Sequence, residues 1–146
     1  MKLDVFEICH KESEELISVG DVSLLNTSVQ YVEEHPEQFL YIEASPFNEI
    51  KIDALVLEFD EAFKKPMALF GLKLQKKFGP AIQAYLKQEL TEDAIFGAMF
   101  SGEDGLWEIN LTLDGIKDYE PSQTIQQSIE AVYNFVDGLM KEVEVV

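Results

Sequence analysis

Alternation of apolar and polar residues is the most regular pattern in the chain, and it covers residues 106–113 (LWEINLTL). A period of two is typical of a strand with one covered face. The stretch 94–101 (AIFGAMFS) precedes it across the turn 102–105 (GEDG), so the two segments predict a β-hairpin. The side chains predicted to face inward are Trp107, Ile109, Leu111 and Leu113, and those predicted to face outward are Glu108, Asn110 and Thr112.

Helical spacing of apolar residues predicts three helices. The first covers residues 22–35, after a cap at Asp21 or Ser23. The second covers about 79–90 and the third about 121–142, each with a proline near its first position. The predicted buried stripe of the third helix consists of Ile125, Ile129, Val132, Val136, Leu139 and Met140.

Other apolar runs predict further strands at 2–8, 39–44 and 51–59. Residues 39–42 are apolar on both faces, which is typical of a covered central strand. Residues 67–75 fit a strand or a helix, and the strand is favoured because a glycine at 71 weakens a helix interior. Residues 10–20 fit a short helix or a loop.

The resulting order is strand, helix, three strands, helix, two strands, helix. Strands clustered between helices predict an α+β fold with a single, mostly antiparallel sheet of about five to six strands and three helices packed on it. No Gly-, Ser- or Pro-rich linker divides the chain, so residues 1–146 are predicted to form a single domain.

Charge narrows the classes of partner. The chain has 28 acidic residues, 11 lysines and no arginine, with a net charge of −17. Without a guanidinium it lacks the planar donor that clamps phosphates, and its charge repels polyanions, so no nucleic-acid partner is expected. Residues 61–90 carry six lysines against two glutamates, a net charge of +4, which leaves −21 elsewhere (five lysines against 26 acids). This segregation predicts a polarised surface.

Compartment signals point to the cytoplasm. Cys9 has no second cysteine to pair with, which suits a reducing compartment. The N-terminal residues do not show a basic segment followed by a long apolar run, so no signal peptide is expected. The sequence has no run of 18 apolar residues, so no membrane span is expected either.

Candidate catalytic groups are few. Cys9 and His10 are neighbours on a predicted strand and would point to opposite faces, and His35 precedes a proline at a predicted helix end. Glu58 and Asp60 would share a strand face and form the best carboxylate pair. Zinc-ligand spacing and phosphate-binding loops are absent. We therefore expect no catalytic residue, metal or cofactor.

These observations favour a small acidic, non-enzymatic protein-binding module: an adaptor, a secretion-type chaperone, or an inhibitor or immunity partner. They predict a protein partner and allow a homodimer. The alternative is a small-molecule binder or enzyme with an apolar pocket between sheet and helices, with Tyr41, Tyr85, Trp107 or Glu58 as polar groups. The predicted interaction surface consists of Phe39, Tyr41, Trp107, Lys73, Lys76 and Lys77.

From residue 22 onward the predicted order is α-β-β-β-α-β-β-α. This order, together with the size and acidity of the chain, resembles small acidic secretion chaperones. That resemblance implies a homodimer that holds an extended segment of a partner. No residue is assigned a role from it, because no diagnostic motif is shared and similarity of layout does not establish function.

Overall fold

The computed structural model describes residues 1–144, which form seven strands and four α-helices. The strands are β1 (Val5–His10), β2 (Leu16–Val19), β3 (Gln38–Glu43), β4 (Ile52–Asp60), β5 (Lys65–Leu72), β6 (Phe96–Ser101) and β7 (Leu106–Thr112). The α-helices are α1 (Val22–Leu25), α2 (Gln30–Glu34), α3 (Gly79–Glu89) and α4 (Ile125–Glu144). Short 3-10 helices cover Ser45–Ile50, Lys76–Phe78 and Leu113–Gly115.

All seven strands belong to one antiparallel sheet with the order β2-β1-β3-β4-β5-β7-β6. Four of the six neighbouring pairs join strands that are consecutive in the chain, and the two exceptions are β1–β3 and β5–β7. The predicted α+β fold with a single antiparallel sheet is therefore confirmed. Strands β2 and β6 are the two edges.

Helices α2, α3 and α4 pack on one face of this sheet. The core combines their buried apolar residues, such as Val32, Ile82 and Val132, with the inward residues of the strands, such as Leu57 and Leu111. The predicted stripe of α4 is buried throughout, with its members 0–7% exposed. None of the helices within residues 1–144 is long and apolar enough to span a membrane.

The first predicted helix differs most from the structure. Residues 22–35 form two short helices, α1 and α2, because Ser28 pairs with Thr124 in an isolated β-bridge and interrupts the helix between them. The Asp21 carboxylate caps α1 by accepting a hydrogen bond of 2.9 Å from the backbone N–H of Leu24. Residues 16–19, where a helix or a loop was predicted, form β2 instead, because they pair with β1.

Helix α4 begins later than predicted. Pro121 lies in the turn before it, and the helix starts after Thr124. The backbone N–H of Gln127 donates to the Thr124 hydroxyl at 3.0 Å, and the backbone N–H of Thr124 donates to the side-chain oxygen of Gln127 at 2.8 Å. These reciprocal bonds form a capping box, a stronger start signal than the proline. The final residues, 145 and 146, lie outside the described part of the chain.

Candidate interaction surface

The face of the sheet opposite the helices is the main candidate for binding, and we call it the open face. One row of cross-strand neighbours runs over all seven strands on this side. With strands about 4.8 Å apart, the row is about 29 Å long. Its members, in order, are Val19, Glu7, Tyr41, Val56, Leu69, Asn110 and Gly97. Most of these side chains are half-buried by one another.

Small residues leave a depression in the open face beside β4, β5 and β7. Gly71 lies on its floor, and a Cβ atom there would come within 3.4 Å of the Asp53 and Leu106 side chains. Ala54 is the neighbouring small residue, while Val56 and Leu69 supply the apolar part of the floor. The depression has a volume of about 700 Å³ and opens to solvent.

A second depression of about 240 Å³ continues the first towards the β4–β5 turn. The two share Leu69 and Asn110, so they form one trough along β5, which we call the trough. Phe63 and Ile95 line this second depression together with Met67, which is 5% exposed. The described residues that line the trough include five carboxylates and no lysine; the carboxylates are Asp53, Glu58, Asp60, Asp104 and Glu108.

Two of these carboxylates have lysine neighbours. The Lys11 ammonium lies 3.0 Å from Glu58, and the exposed Lys73 ammonium lies 3.8 Å from Asp53. Glu108 is exposed and forms no ion pair within residues 1–144. Since an exposed pair such as Lys73–Asp53 contributes little stability, a cationic ligand can displace it readily. The trough is therefore an acidic site with an apolar floor.

Tyr41 is the hydroxyl-bearing residue of the long row, and its hydroxyl donates a short hydrogen bond to the Glu43 carboxylate. This bond, together with burial and the charges of Glu43, Asp53 and Glu7, raises the pKa of Tyr41 to about 12. The ring stays neutral at physiological pH and supplies an apolar surface. Because the pKa is raised from about 10, the stability that it contributes is present below pH 10 and is lost as the pH rises through about 12.

We expect Glu43→Gln to lower the pKa of Tyr41 towards 10, because the charged acceptor is removed. Tyrosinate absorbance during alkaline titration measures this change. In the wild-type protein Tyr41 and Tyr85 should both titrate near 12. The Tyr41→Phe variant should lose one of these late steps, and an unchanged titration in both variants would contradict the assignment. Circular dichroism at each pH verifies that the fold persists.

The second surface feature is an exposed apolar edge, which we call the edge patch. It consists of Leu16, Ile17, Val19 and Val22, with exposures of 54%, 49%, 70% and 70%. The β1–β2 register slips between Ile8 and Cys9, so that both Leu16 and Val19 lie opposite open-face residues of β1. The edge patch is thus continuous with the open face.

The predicted interaction residues lie in three separate places: two aromatic residues on β3, Trp107 on β7, and the three lysines after β5. Phe39 and Tyr41 lie together on β3 and face the open side. Trp107 lies on the opposite face; it is 7% exposed, its indole N–H donates to the Gln75 carbonyl at 3.2 Å, and it packs against Gly79 at the start of α3. Trp107 is therefore part of the core beneath α3 and does not share a surface with Tyr41.

The lysines of residues 61–90 do not form one patch. Lys73, Lys76 and Lys77 are exposed just beyond the end of β5. Lys65 begins the same strand and lies about 26 Å away along it, where its ammonium pairs with Asp114 at 2.6 Å. The predicted polarised surface is therefore reduced to the small group at residues 73–77.

The candidate catalytic groups are dispersed. Cys9 pairs with Phe39 on the open face and His10 with Gln38 on the other, so their side chains diverge as predicted. Burial and the nearby charge of Glu7 raise the pKa of the Cys9 thiol. Glu58 and Asp60 do share the trough. Within residues 1–144, no group of three or more His, Cys, Asp and Glu side chains is arranged to hold a metal ion.

The predicted interaction surface did not include Val56, Leu69, Glu108 or the edge patch. Alternation in β7 did place Glu108 on the outer face. It also placed Thr112 there, but Thr112 is fully buried because the segment around Ile95 folds over it. The Thr112 amide donates to the Ile95 carbonyl at 3.0 Å, and the Ile95 amide donates to the Thr112 hydroxyl at 3.2 Å. A local pattern gives the direction of a side chain, whereas its exposure depends on distant segments.

Comparison with protein-family models, with curated proteins and with solved structures found no match. The resemblance to secretion chaperones therefore rests on element order, size and charge.

Proposed function

We propose that this chain is a non-enzymatic protein-binding module that holds a cationic, partly apolar segment of a partner on its open face. The observation that carries the proposal is the trough: five carboxylates and no lysine among the described residues around a floor of Val56 and Leu69. A lysine or arginine of the partner segment would be attracted by the carboxylates, while apolar side chains beside it in the segment would cover the floor.

Charge selects the class of partner. The net charge of −17 repels nucleic acids and acidic proteins and accelerates the encounter with basic ones. The open face supplies length as well as charge, because the long row extends for about 29 Å across the sheet. A surface of that length suits a protein segment better than a compact metabolite. The homodimer and the cytoplasmic setting stay predictions.

The alternative of a small-molecule site between sheet and helices has weaker support. The cavity beside Leu113 and Tyr119 has a volume of about 110 Å³, and the groove beside Tyr85 has about 210 Å³. Both are below the roughly 300 Å³ that is usual for a ligand pocket. The first depression of the trough is large enough to hold a small molecule, so a small cationic ligand at that place is the alternative occupant.

Photo-crosslinking from the trough tests the proposal. A photoreactive residue is placed at Glu108, which is exposed in the trough, or as a control at Glu34, which is exposed on α2. We expect position 108 alone to crosslink to a protein segment with a net positive charge. Equal crosslinking from both positions, or crosslinking of position 108 to acidic segments, would contradict the proposal.

We also expect the double variant Asp104→Asn, Glu108→Gln to bind a leucine–lysine peptide about fivefold more weakly. This estimate takes about 0.5 kcal/mol for each of two exposed charge pairs. Titration monitored by backbone amide shifts of Val56 and Leu69 measures the affinity. The matched control, Glu33→Gln with Glu34→Gln, removes the same net charge from α2.

The control should weaken binding less than the trough variant. Equal losses in the two variants would mean that net charge alone attracts the peptide, and the trough would not be its site. Equal binding of a leucine–glutamate peptide would overturn the predicted charge preference. Binding of lysine amide as strongly as the peptide would favour the small cationic ligand.

A further inference from the structure

Strand β2 is an unusual edge. All four of its residues are exposed, and three of them are large and apolar. Among residues 1–144 no strand pairs with its outer side, so backbone donors and acceptors there face solvent. Proteins generally blunt such an edge with lysine, proline or a covering segment, because an apolar edge is a template for another strand.

The opposite edge of the sheet is better protected. The residues of strand β6 are half-buried except for Met99, which is exposed, and α3 packs against the strand. The Gln83 side chain donates to the Ala98 carbonyl at 3.4 Å, so a helix residue already uses a backbone acceptor of this strand. The two edges therefore differ, and β2 is the edge prepared for a further strand.

The charge around β2 indicates what that strand carries. Its flanks hold four carboxylates that form no ion pair within residues 1–144: Glu12, Glu14, Glu15 and Asp21. Lys11 is the basic residue of this segment, and its ammonium already contacts Glu58 and the Phe59 carbonyl. A strand with basic residues near its ends would neutralise these flanks.

A second copy of the chain fits this edge poorly. Antiparallel pairing of β2 with itself would bring the turn that contains Glu14 beside Asp21 of the other copy, and eight flanking carboxylates, four from each copy, would meet without a free lysine. Pairing β2 with β6 of another copy gives the same conflict, because Asp93 and Glu103 flank β6. Like charges at such short distances oppose association.

We propose that β2 binds an extended, basic-flanked segment of a partner protein as an eighth strand of the sheet. The added strand would lie beside Val19 and extend the open face by one position. Its backbone would supply affinity, and its apolar residues would cover Leu16 and Val19. This site is separate from the trough, although one partner that is long enough could reach both.

A synthetic peptide tests the edge directly. The probe is a blocked peptide of about ten residues, with lysines at both ends and alternating valine and threonine between them. The matched control peptide is N-methylated on every valine and threonine, which removes the donors of both strand edges and keeps the charge and the side chains. We expect the probe to shift and protect the amides of Ile17–Val19, and the methylated peptide to bind about tenfold more weakly.

Two variants of equal exposure locate the contact. Val19→Lys changes the edge strand, and Val22→Lys makes the same substitution on α1, just outside it; each wild-type valine is 70% exposed. Val19→Lys should weaken the probe about fivefold and Val22→Lys less than about twofold. The single lysine is added at an exposed position in both, so both variants should fold.

Several results would overturn the inference. Equal affinity of the methylated peptide would exclude strand pairing, as would the absence of any shift at about 1 mM probe. Light scattering that shows a dimer of the free protein, with the β2 amides protected, would place a second copy on this edge. Shifts confined to Val56 and Leu69 would also overturn it, while leaving the proposed role of the trough intact.

Discussion

Replacing Phe47 by alanine is expected to lower the free energy of unfolding by about 4 kcal/mol. Phe47 is 1% exposed and is among the largest fully buried side chains. It lies in the 3-10 helix between β3 and β4, and its ring stacks on Tyr133 of α4 with centroids 6.4 Å apart. The residue thus joins the strand connection to the main helix, and its removal leaves a cavity that rigid neighbours on two elements cannot fill.

Urea unfolding of the wild type and the Phe47→Ala variant measures this loss, and thermal unfolding should show a midpoint lower by about 10 °C. Phe63→Ala is the matched control, because the same side chain is removed from a residue that is 54% exposed. The control should change stability by no more than about 0.5 kcal/mol. Comparable losses in the two variants would show that Phe47 does not anchor the core as described.

Elements with many periodic apolar residues were predictable from the sequence. Helix α4 shows a stripe over 20 residues, and β7 alternates over seven, so local pattern and tertiary burial agree. Strand β5 was harder, but Gly71 pointed away from a helix and the structure agrees. Boundaries were less predictable, because capping by Thr124 and Gln127, and not Pro121, decides where α4 begins.

Short elements depended on partners that are distant in the sequence. Strand β2 has four residues and exists through its pairing with β1. The split between α1 and α2 depends on the bridge from Ser28 to Thr124, which lies 96 positions away. A pattern read within a window of about 15 residues contains neither contact.

The candidate surface was predictable only in part, because a strand pattern does not show which face the helices cover. Apolar residues on both sides of β3 predicted a covered central strand, whereas Phe39 and Tyr41 lie half-buried on the open face. Trp107 was placed in the predicted interaction surface although alternation predicted that it faces inward, and α3 covers it. The location of a helix relative to the sheet decided both cases.

The absence of arginine takes on a more specific meaning in the structure. The chain has no guanidinium with which to bind a phosphate. The lysines nearest the trough, Lys11 and Lys73, pair with carboxylates at its rim, and the other lysines lie beyond it. Carboxylates and apolar side chains consequently share the open face without a strong internal cation. This arrangement is the basis of the proposal that the open face binds a cationic segment.

The contact between α3 and α4 provides a second strong prediction. Gly138 of α4 lies against Tyr85 of α3, and a Cβ atom at position 138 would come within 2.4 Å of the Tyr85 hydroxyl oxygen. That hydroxyl donates to the Phe135 carbonyl at 2.7 Å, and burial is the main cause that raises the pKa of Tyr85 to about 12. The close approach of the Tyr85 hydroxyl, and not the backbone conformation of α4, is therefore the reason for a glycine at position 138.

We expect Gly138→Ala to destabilise the wild-type protein by about 1–2 kcal/mol, because the displaced hydroxyl loses its hydrogen bond and the contact is overpacked. In the Tyr85→Phe background the same substitution should instead stabilise by up to about 1 kcal/mol. There the nearest ring carbon is 3.5 Å from the new Cβ, an ordinary contact, and alanine is the better helix former. Urea unfolding of the four proteins gives the coupling, expected near 2 kcal/mol. Additive effects would mean that the two helices adjust their spacing freely; a reversal of sign means that the Tyr85 hydroxyl fixes how closely α3 and α4 pack over the sheet.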